Sequence, residues 1–216
     1  MSDQVATTEQ RPTPSLIGVF SAAVPACLLR QESREVFRDL VFGGAALSIS
    51  MLIAYLVTSD WQGTIPRDAT TLAVGRYFFN LWMYGRSAVG PDSGRFYDIL
   101  SYHQALHDLL GMEMGGNWSY PPTVMLLAAP FGQLNYLAAL TCWTLLSLGV
   151  FVAATRNHVP DWRFLLPVLL SPAALVCLVS GQSSFLTAAM MFVIFAGLDR
   201  RHVMSGVLIG LLTIKA

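Results

Sequence analysis

The sequence predicts an all-α protein, a polytopic bundle of transmembrane helices with one long polar loop after its first crossing. Three observations carry this. Of the 216 residues, 54% are hydrophobic and 12% charged, and the mean hydropathy is +0.54; soluble domains carry about 25% charged residues. The apolar residues fall in long runs separated by short arginine-bearing segments. Between the first run and the rest stands the polar stretch Thr58–Tyr120, which holds Asp60, Asp68, Asp92, Asp98, Asp108, His103, His107 and Arg67, Arg76, Arg86 and Arg95.

Composition also excludes function classes. With 13 basic and 13 acidic residues there is no basic surface of the kind that binds nucleic acid. Cys27, Cys142 and Cys177 all lie in apolar runs, and no C-x-x-C pair supports a disulfide framework or a zinc site. They are expected to be small core residues. No cofactor is implied.

In chain order, residues 1–39 read as a cytoplasmic tail with an interfacial helix. Residues 1–13 are polar and rich in Thr and Pro, a disordered composition. Leu16–Leu29 is interrupted by Pro25 and is shorter than the roughly 20 residues a bilayer crossing needs. No basic segment precedes it, which argues against a cleaved signal peptide and for a helix lying on the membrane. Arg30, Arg34 and Arg38 precede the first clear span, Leu40–Val57, and by the positive-inside rule they place the N-terminus in the cytoplasm. The loop 58–120 then emerges on the other side.

Within that loop Phe78–Val89 and Phe96–Leu110 have helical patterns whose aromatics suit interfacial helices, separated by the turn Gly90–Gly94. Gly115-Gly116-Asn117 is a second joint. Residues 121–216 contain the further membrane helices: Pro121–Leu134, Tyr136–Ala154, Phe164–Val179, Ser184–Leu198 and the stretch from Val203, with a close-packing Gly206-x-x-x-Gly210 spacing. The segments Arg156–Arg163 and Asp199–His202 each carry two arginines, which places both in the cytoplasm. That arrangement requires Pro121–Leu134 to be re-entrant and sets the Ser180–Ser183 turn on the side of the long loop. The last apolar run stops after about a dozen residues, so the chain reads as the N-terminal part of a longer multi-span protein.

Individual residues admit a chemical and a plain reading. Asp68 is a candidate general base or a solvated loop carboxylate. Arg76 and Arg86 are candidate phosphate contacts or snorkelling side chains. His103 and His107 share a helix face at i, i+4, yet the zinc-protease glutamate is absent between them, so no metal site is assigned. Tyr120-Pro121-Pro122 is either a contact or a rigid helix start. Gln182 lines a cavity or caps a turn. A transporter is disfavoured because the charges cluster in loops rather than at mid-membrane.

The stretch Arg76–Arg86, the sequence Trp118-Ser119-Tyr120-Pro121-Pro122 with Leu127–Phe131, Gly181-Gln182, and Leu198–Arg201 with Gly206–Lys215 together resemble glycosyltransferase family 87 over roughly Arg67 to Lys215. The resemblance implies a GT-C-type fold in a cell (inner) membrane. It also implies transfer of a hexose, mannose by expectation, from a polyprenyl-phosphate-linked sugar to a glycan or lipid acceptor outside the cytoplasm. A loop carboxylate would act as base, and basic residues would stabilise the departing phosphate. Carried onto this sequence, that implies Asp68 as base and Arg76, Tyr77, Trp82, Arg86, Tyr120, Gln182 and Lys215 as substrate contacts. The sequence departs from the family twice. Tyr77 stands where the family places an aspartate before the aromatic run, and Ala216 where a proline follows the lysine. The alternative implied by these departures is an inactive relative that serves as a membrane binding or assembly protein.

Overall fold

The computed structural model describes residues 31–111, 120–156, 165–198 and 202–212. The chain divides into residues 1–38, of which 31–38 are described, and residues 39–216, which hold every contact discussed below. The expected interfacial helix Leu16–Leu29, the Gly115–Asn117 joint, the loop 157–164, Arg200–Arg201 and Lys215 lie outside the described residues.

The described elements are helical. α1 (Gln31–Thr58), α2 (Arg76–Ala88), a 3₁₀ turn (Arg95–Tyr97), α3 (Ile99–Leu110), α4 (Val124–Gly132) and α5 (Tyr136–Arg156) are followed by α6 (Leu165–Leu169), α7 (Pro172–Val179), α8 (Ser184–Gly197) and α9 (His202–Leu212). Among the described residues, two stretches are long and apolar enough to cross a membrane, Arg34–Thr58 with 25 residues and Tyr136–Arg156 with 21. At about 1.5 Å per residue each reaches the roughly 30 Å of a hydrocarbon core. Their outward faces are apolar (Leu40, Phe42, Ile49 and Ile53 on α1; Leu145, Leu146 and Val150 on α5) and exposed, as lipid-facing sides are. Cys142 is exposed on α5 rather than in the core, because it falls on that outward side.

α2 departs from the expected interfacial helix. Phe78, Phe79, Leu81, Trp82, Met83, Tyr84 and Gly85 are all buried, so the helix is apolar around most of its circumference and is enclosed by protein. Its partner is α4, and the two backbones touch. A Cβ built on Gly85 falls 2.2 Å from the Ala128 carbonyl oxygen, and one on Gly132 falls 2.0 Å from the Gly85 carbonyl carbon. An aromatic cluster fills the space between α2, α4 and α5. Phe78 stacks on Trp143 at 5.8 Å and meets Phe131 edge-on at 6.0 Å, and Trp82 meets Tyr136 edge-on at 5.1 Å. Such offset and T-shaped pairs are the favoured aromatic geometries.

The expected helix Phe96–Leu110 is two elements. Asp98 leaves helical conformation (φ −81°, ψ 119°) and its carboxylate accepts from the Ser101 N–H, so it caps α3 and separates it from the 3₁₀ turn.

α4 has nine residues, about 14 Å of helix, too short to cross. Pro130 lacks an N–H, and the helix ends two residues later at Gly132. Tyr136 at the start of α5 lies within electrostatic reach of Tyr55 at the end of α1. Residues 59–135 therefore leave and return at one end of these two helices.

The expected span Phe164–Val179 is also broken. α6 ends at Leu169, and Ser171 caps a new helix that starts at Pro172, its hydroxyl accepting from the Ala174 N–H at 3.2 Å. Pro172 is the cause, because it has no N–H and restricts Ser171 to extended backbone. The Leu170 carbonyl, freed by the break, accepts from Ser48 Oγ of α1 at 2.7 Å. α7 (8 residues) and α8 (14 residues) are each shorter than a crossing and bend by 118° at Ser180–Ser183. α8 packs on α5 through Phe151 and Phe185, with ring centres 5.3 Å apart. α9 packs on α8 through buried Ser205, whose hydroxyl donates to the Ile194 carbonyl. Among the described residues, nothing lies within 4 Å of a Cβ built on Gly206 or Gly210.

Candidate functional site

The polar residues of the long loop separate to the two ends of α2. Arg76 and Arg86 are ten positions apart, about 15 Å along the helix.

At the N-terminal end, the chain leaves α1 and makes a tight loop. Asp60 bridges to Arg67 and Arg67 to Ala73, and the Asp68 N–H donates to the Leu72 carbonyl at 2.8 Å. Asp68 Oδ1 accepts from Thr70 N–H (2.9 Å), Thr70 Oγ1 (2.6 Å) and Leu72 N–H (3.2 Å). Its other oxygen, Oδ2, has no partner among the described residues. Thr71 inside this loop takes φ 66°, a left-handed conformation that strains a β-branched residue. The loop is fixed further by Arg67, whose guanidinium donates to the Leu110 carbonyl at the end of α3.

Gly75 (φ 72°) then starts α2. The Gly75 N–H donates to the Val179 carbonyl (3.1 Å) and the Tyr77 N–H to the Ser180 carbonyl (3.0 Å). The positive N-terminus of α2 thus meets the negative C-terminus of α7, a favourable dipole arrangement. The turn that follows α7 is held from below by Trp143, whose Nε1 donates to the Gly181 carbonyl at 3.2 Å. Gly181 (φ 68°) packs so closely that a Cβ would fall 2.7 Å from Phe78 Cβ. The Tyr136 hydroxyl donates to the Val74 carbonyl and fixes the same corner from α5.

Several sequence-predicted residues meet here. Asp68 and Arg76 both lie within electrostatic reach of Tyr55. Arg76 is exposed, with no ion pair among the described residues. Tyr77 is exposed and close to half-buried Tyr120, whose phenol is held above its ordinary value by burial first and by Tyr77 second. The Tyr120 carbonyl accepts from the Tyr97 hydroxyl at 3.3 Å. Gln182 is on the adjoining turn: its N–H donates to the Cys177 carbonyl (3.0 Å), and its Oε1 accepts from Ser184 Oγ (2.9 Å).

Trp82 and Arg86 are elsewhere. Trp82 is 5% exposed and its Nε1 donates to the Leu134 carbonyl at 3.0 Å. Arg86 lies over the Trp82 ring at 4.9 Å and forms part of the wall of two cavities. The larger, about 780 Å³, adjoins Gly132–Leu137; the smaller, about 390 Å³, adjoins the Gly90–Gly94 turn and α3. His103 and His107 stand on α3, and among the described residues no third metal-ligating group gathers with them. Sequence reasoning missed Tyr55 and Tyr136, which lie in apolar runs and carry no motif, and it read Asp92 and Arg95 only as charges of the loop, Asp92 within the Gly90–Gly94 turn.

Residues 118–216 match the model of glycosyltransferase family 87. No curated protein and no solved structure matches the chain. The match takes in the Tyr120-Pro121-Pro122, Gly181-Gln182 and Lys215 stretches, and it starts after the Arg76–Arg86 stretch. The second part of this chain is therefore similar to glycosyltransferase family 87, a family of membrane glycosyltransferases.

Proposed function

We propose that this protein is a membrane glycosyltransferase that moves a hexose, mannose first among candidates, from a polyprenyl-phosphate donor to a glycan or lipid acceptor. The reaction takes place on the extracytoplasmic side of a cell membrane, with the N-terminus in the cytoplasm. The observation that carries the reading is the docking of the α2 start on the Ser180–Gly181 turn. It joins the family-like part of the chain to the segment that carries Asp68, Arg76 and Tyr77.

In this reading Asp68 Oδ2 takes the proton of the acceptor hydroxyl. The acceptor oxygen forms a bond to the anomeric carbon as that carbon's bond to the phosphate oxygen breaks. The polyprenyl phosphate leaves with its charge stabilised by Arg76, a cation placed where negative charge develops. Asp68 suits the role because one oxygen is anchored by three donors while the other is open. Lys215 is a second candidate for the phosphate.

The test is transfer of labelled mannose from polyprenyl-phosphate mannose by membranes that contain the protein. Asp68→Asn should lower the rate by roughly 10²–10⁴, the usual contribution of a general base. Wild-type membranes without transfer, or undiminished transfer by Asp68→Asn, would reject the assignment. Tyr77, at the family's aspartate position, favours a second reading: a relative that binds the lipid-linked sugar without turnover. Under that reading Tyr77→Asp raises transfer above wild type.

A further inference from the structure

The smaller cavity at the C-terminal end of α2 has a feature that the transfer site does not explain. Arg86, Asp92, Arg95 and Asp108 all line this space of about 390 Å³. Opposite charges so gathered usually pair. Here Arg86 lies over Trp82 at 4.9 Å and Arg95 over Phe96 at 4.7 Å, and neither makes an ion pair among the described residues. Stacking on a ring holds each guanidinium flat and restricts its motion. The Asp92 carboxylate has no partner among the described residues, and Asp108 accepts from Gln104 Nε2 (2.8 Å) through Oδ1 alone. His107, 3.9 Å from that oxygen, is the other titratable neighbour.

The cavity therefore presents fixed planar donors and open carboxylate acceptors with a net lining charge of zero. A phosphate would gain from the arginines and lose to the aspartates. A neutral polyol avoids that conflict, because each hydroxyl accepts from a guanidinium and donates to a carboxylate. Charge-assisted hydrogen bonds of this kind are the stronger ones. Apolar Met83 and Leu109 complete the wall, suited to the C–H face of a sugar ring. The volume is near the lower end for small-molecule sites.

We propose that this cavity is a subsite for a neutral sugar residue, separate from the Asp68 end of α2. Its assignment to the acceptor glycan, rather than to a sugar of another origin, rests on the glycosyltransferase reading.

Saturation-transfer NMR of the full chain in detergent, with methyl α-D-mannopyranoside and methyl α-D-glucopyranoside as probes, tests it. At least one probe should bind. Asp92→Asn and Arg95→Gln should each weaken binding about tenfold or more, the effect of losing one charge-assisted hydrogen bond. Both positions are exposed, so the fold should persist, with unchanged helical circular dichroism as the check. Asp68→Asn should bind as wild type, and inorganic phosphate should not compete. Absence of binding, equal binding by the Asp92 and Arg95 variants, or displacement by phosphate overturns the proposal. The outcomes separate from those of the transferase assay. Lost sugar binding in these variants without any transfer rejects the enzyme and keeps the subsite; transfer with unchanged acceptor KM in both variants does the reverse.

Discussion

Gly85 of α2 and Gly132 of α4 meet backbone to backbone, so close that a side-chain carbon on either would fall 2.0–2.2 Å from main-chain atoms of the other helix. No rotamer change relieves such a clash, because the obstructing atoms are backbone. Gly132→Ala or Gly85→Ala should destabilise the protein by about 1–3 kcal/mol or more, the range for overpacked contacts. Thermal unfolding in detergent should show a lowered midpoint. Gly43→Ala is the control: nothing lies within 4 Å of its Cβ, and helical Gly→Ala alone is neutral to stabilising.

The broken helix α6–α7 depends on a hydrogen bond from another element. Ser48→Ala removes the donor to the Leu170 carbonyl and leaves that acceptor orphaned in an apolar setting. A loss of about 1–3 kcal/mol is expected. Ser50→Ala, two residues on, should be neutral, because Ser50 Oγ bonds only the Ala46 carbonyl of its own helix at 2.9 Å. A denaturant or thermal series on the two variants decides the matter.

Asp98 gives α3 a pH dependence. Hydrogen bonds from the Ser101 hydroxyl and then the Ser101 N–H hold its carboxyl below the ordinary aspartate value. A folded pKa below the unfolded one means the cap contributes fully above the unfolded pKa, near 4. The contribution is lost as pH falls through the lower folded value. Amide exchange at Ser101 and Tyr102 should accelerate, relative to α5 amides, as pH drops from about 5 to about 2, through and below the ordinary carboxylate range. Asp98→Asn, a good cap without charge, should abolish that dependence while α3 persists.

The two arginines of α2 should differ in what they do. Arg76→Gln, at the N-terminal end of α2, is expected to lower the rate of mannose transfer about 10–100-fold with little change in acceptor KM, as loss of a transition-state contact does. Arg86→Gln, about 15 Å away by helix geometry, should act mainly on acceptor KM. Steady-state kinetics on both variants separate these outcomes, and matching effects would show that the two ends of α2 do not have separate roles.

Much of the fold was readable from local pattern. The run Tyr136–Ala154 became α5 within two residues, and the run Leu40–Val57 became the C-terminal part of α1, which begins nine residues earlier at Gln31, because a helix of that length and composition is specified by its own hydrogen bonds and surface. The turn at Gly90–Gly94 and the helix-compatible start at Pro121-Pro122 were likewise legible as Gly and Pro chemistry. The sequence was less informative where apolar composition left two structures open. Phe164–Val179 reads as one span on hydropathy alone, yet Pro172 and the Ser171 cap divide it. Trp82 and Tyr84 suited headgroup depth by type, while their positions on α2 bury Trp82 against Tyr136 of α5 and Tyr84 against Phe96 of the 3₁₀ turn and Tyr102 of α3.

By itself, then, the sequence determined that the protein is helical, that the runs Leu40–Val57 and Tyr136–Ala154 lie in long apolar helices, and that a polar loop interrupts them. It also determined the similarity to glycosyltransferase family 87. Tertiary structure alone decided which polar residues become neighbours. The start of α2, which carries Arg76 and Tyr77, meets the Ser180–Gly181 turn because Gly75 and Tyr77 donate their backbone N–H groups to Val179 and Ser180, more than a hundred positions away in the chain. Arg86, with the same side chain as Arg76, is carried to the far end of α2 and into a different cavity. The reason is geometric: hydropathy and spacing are properties of one segment, whereas a site is a meeting of segments, and here two glycine-lined backbone contacts set where they meet.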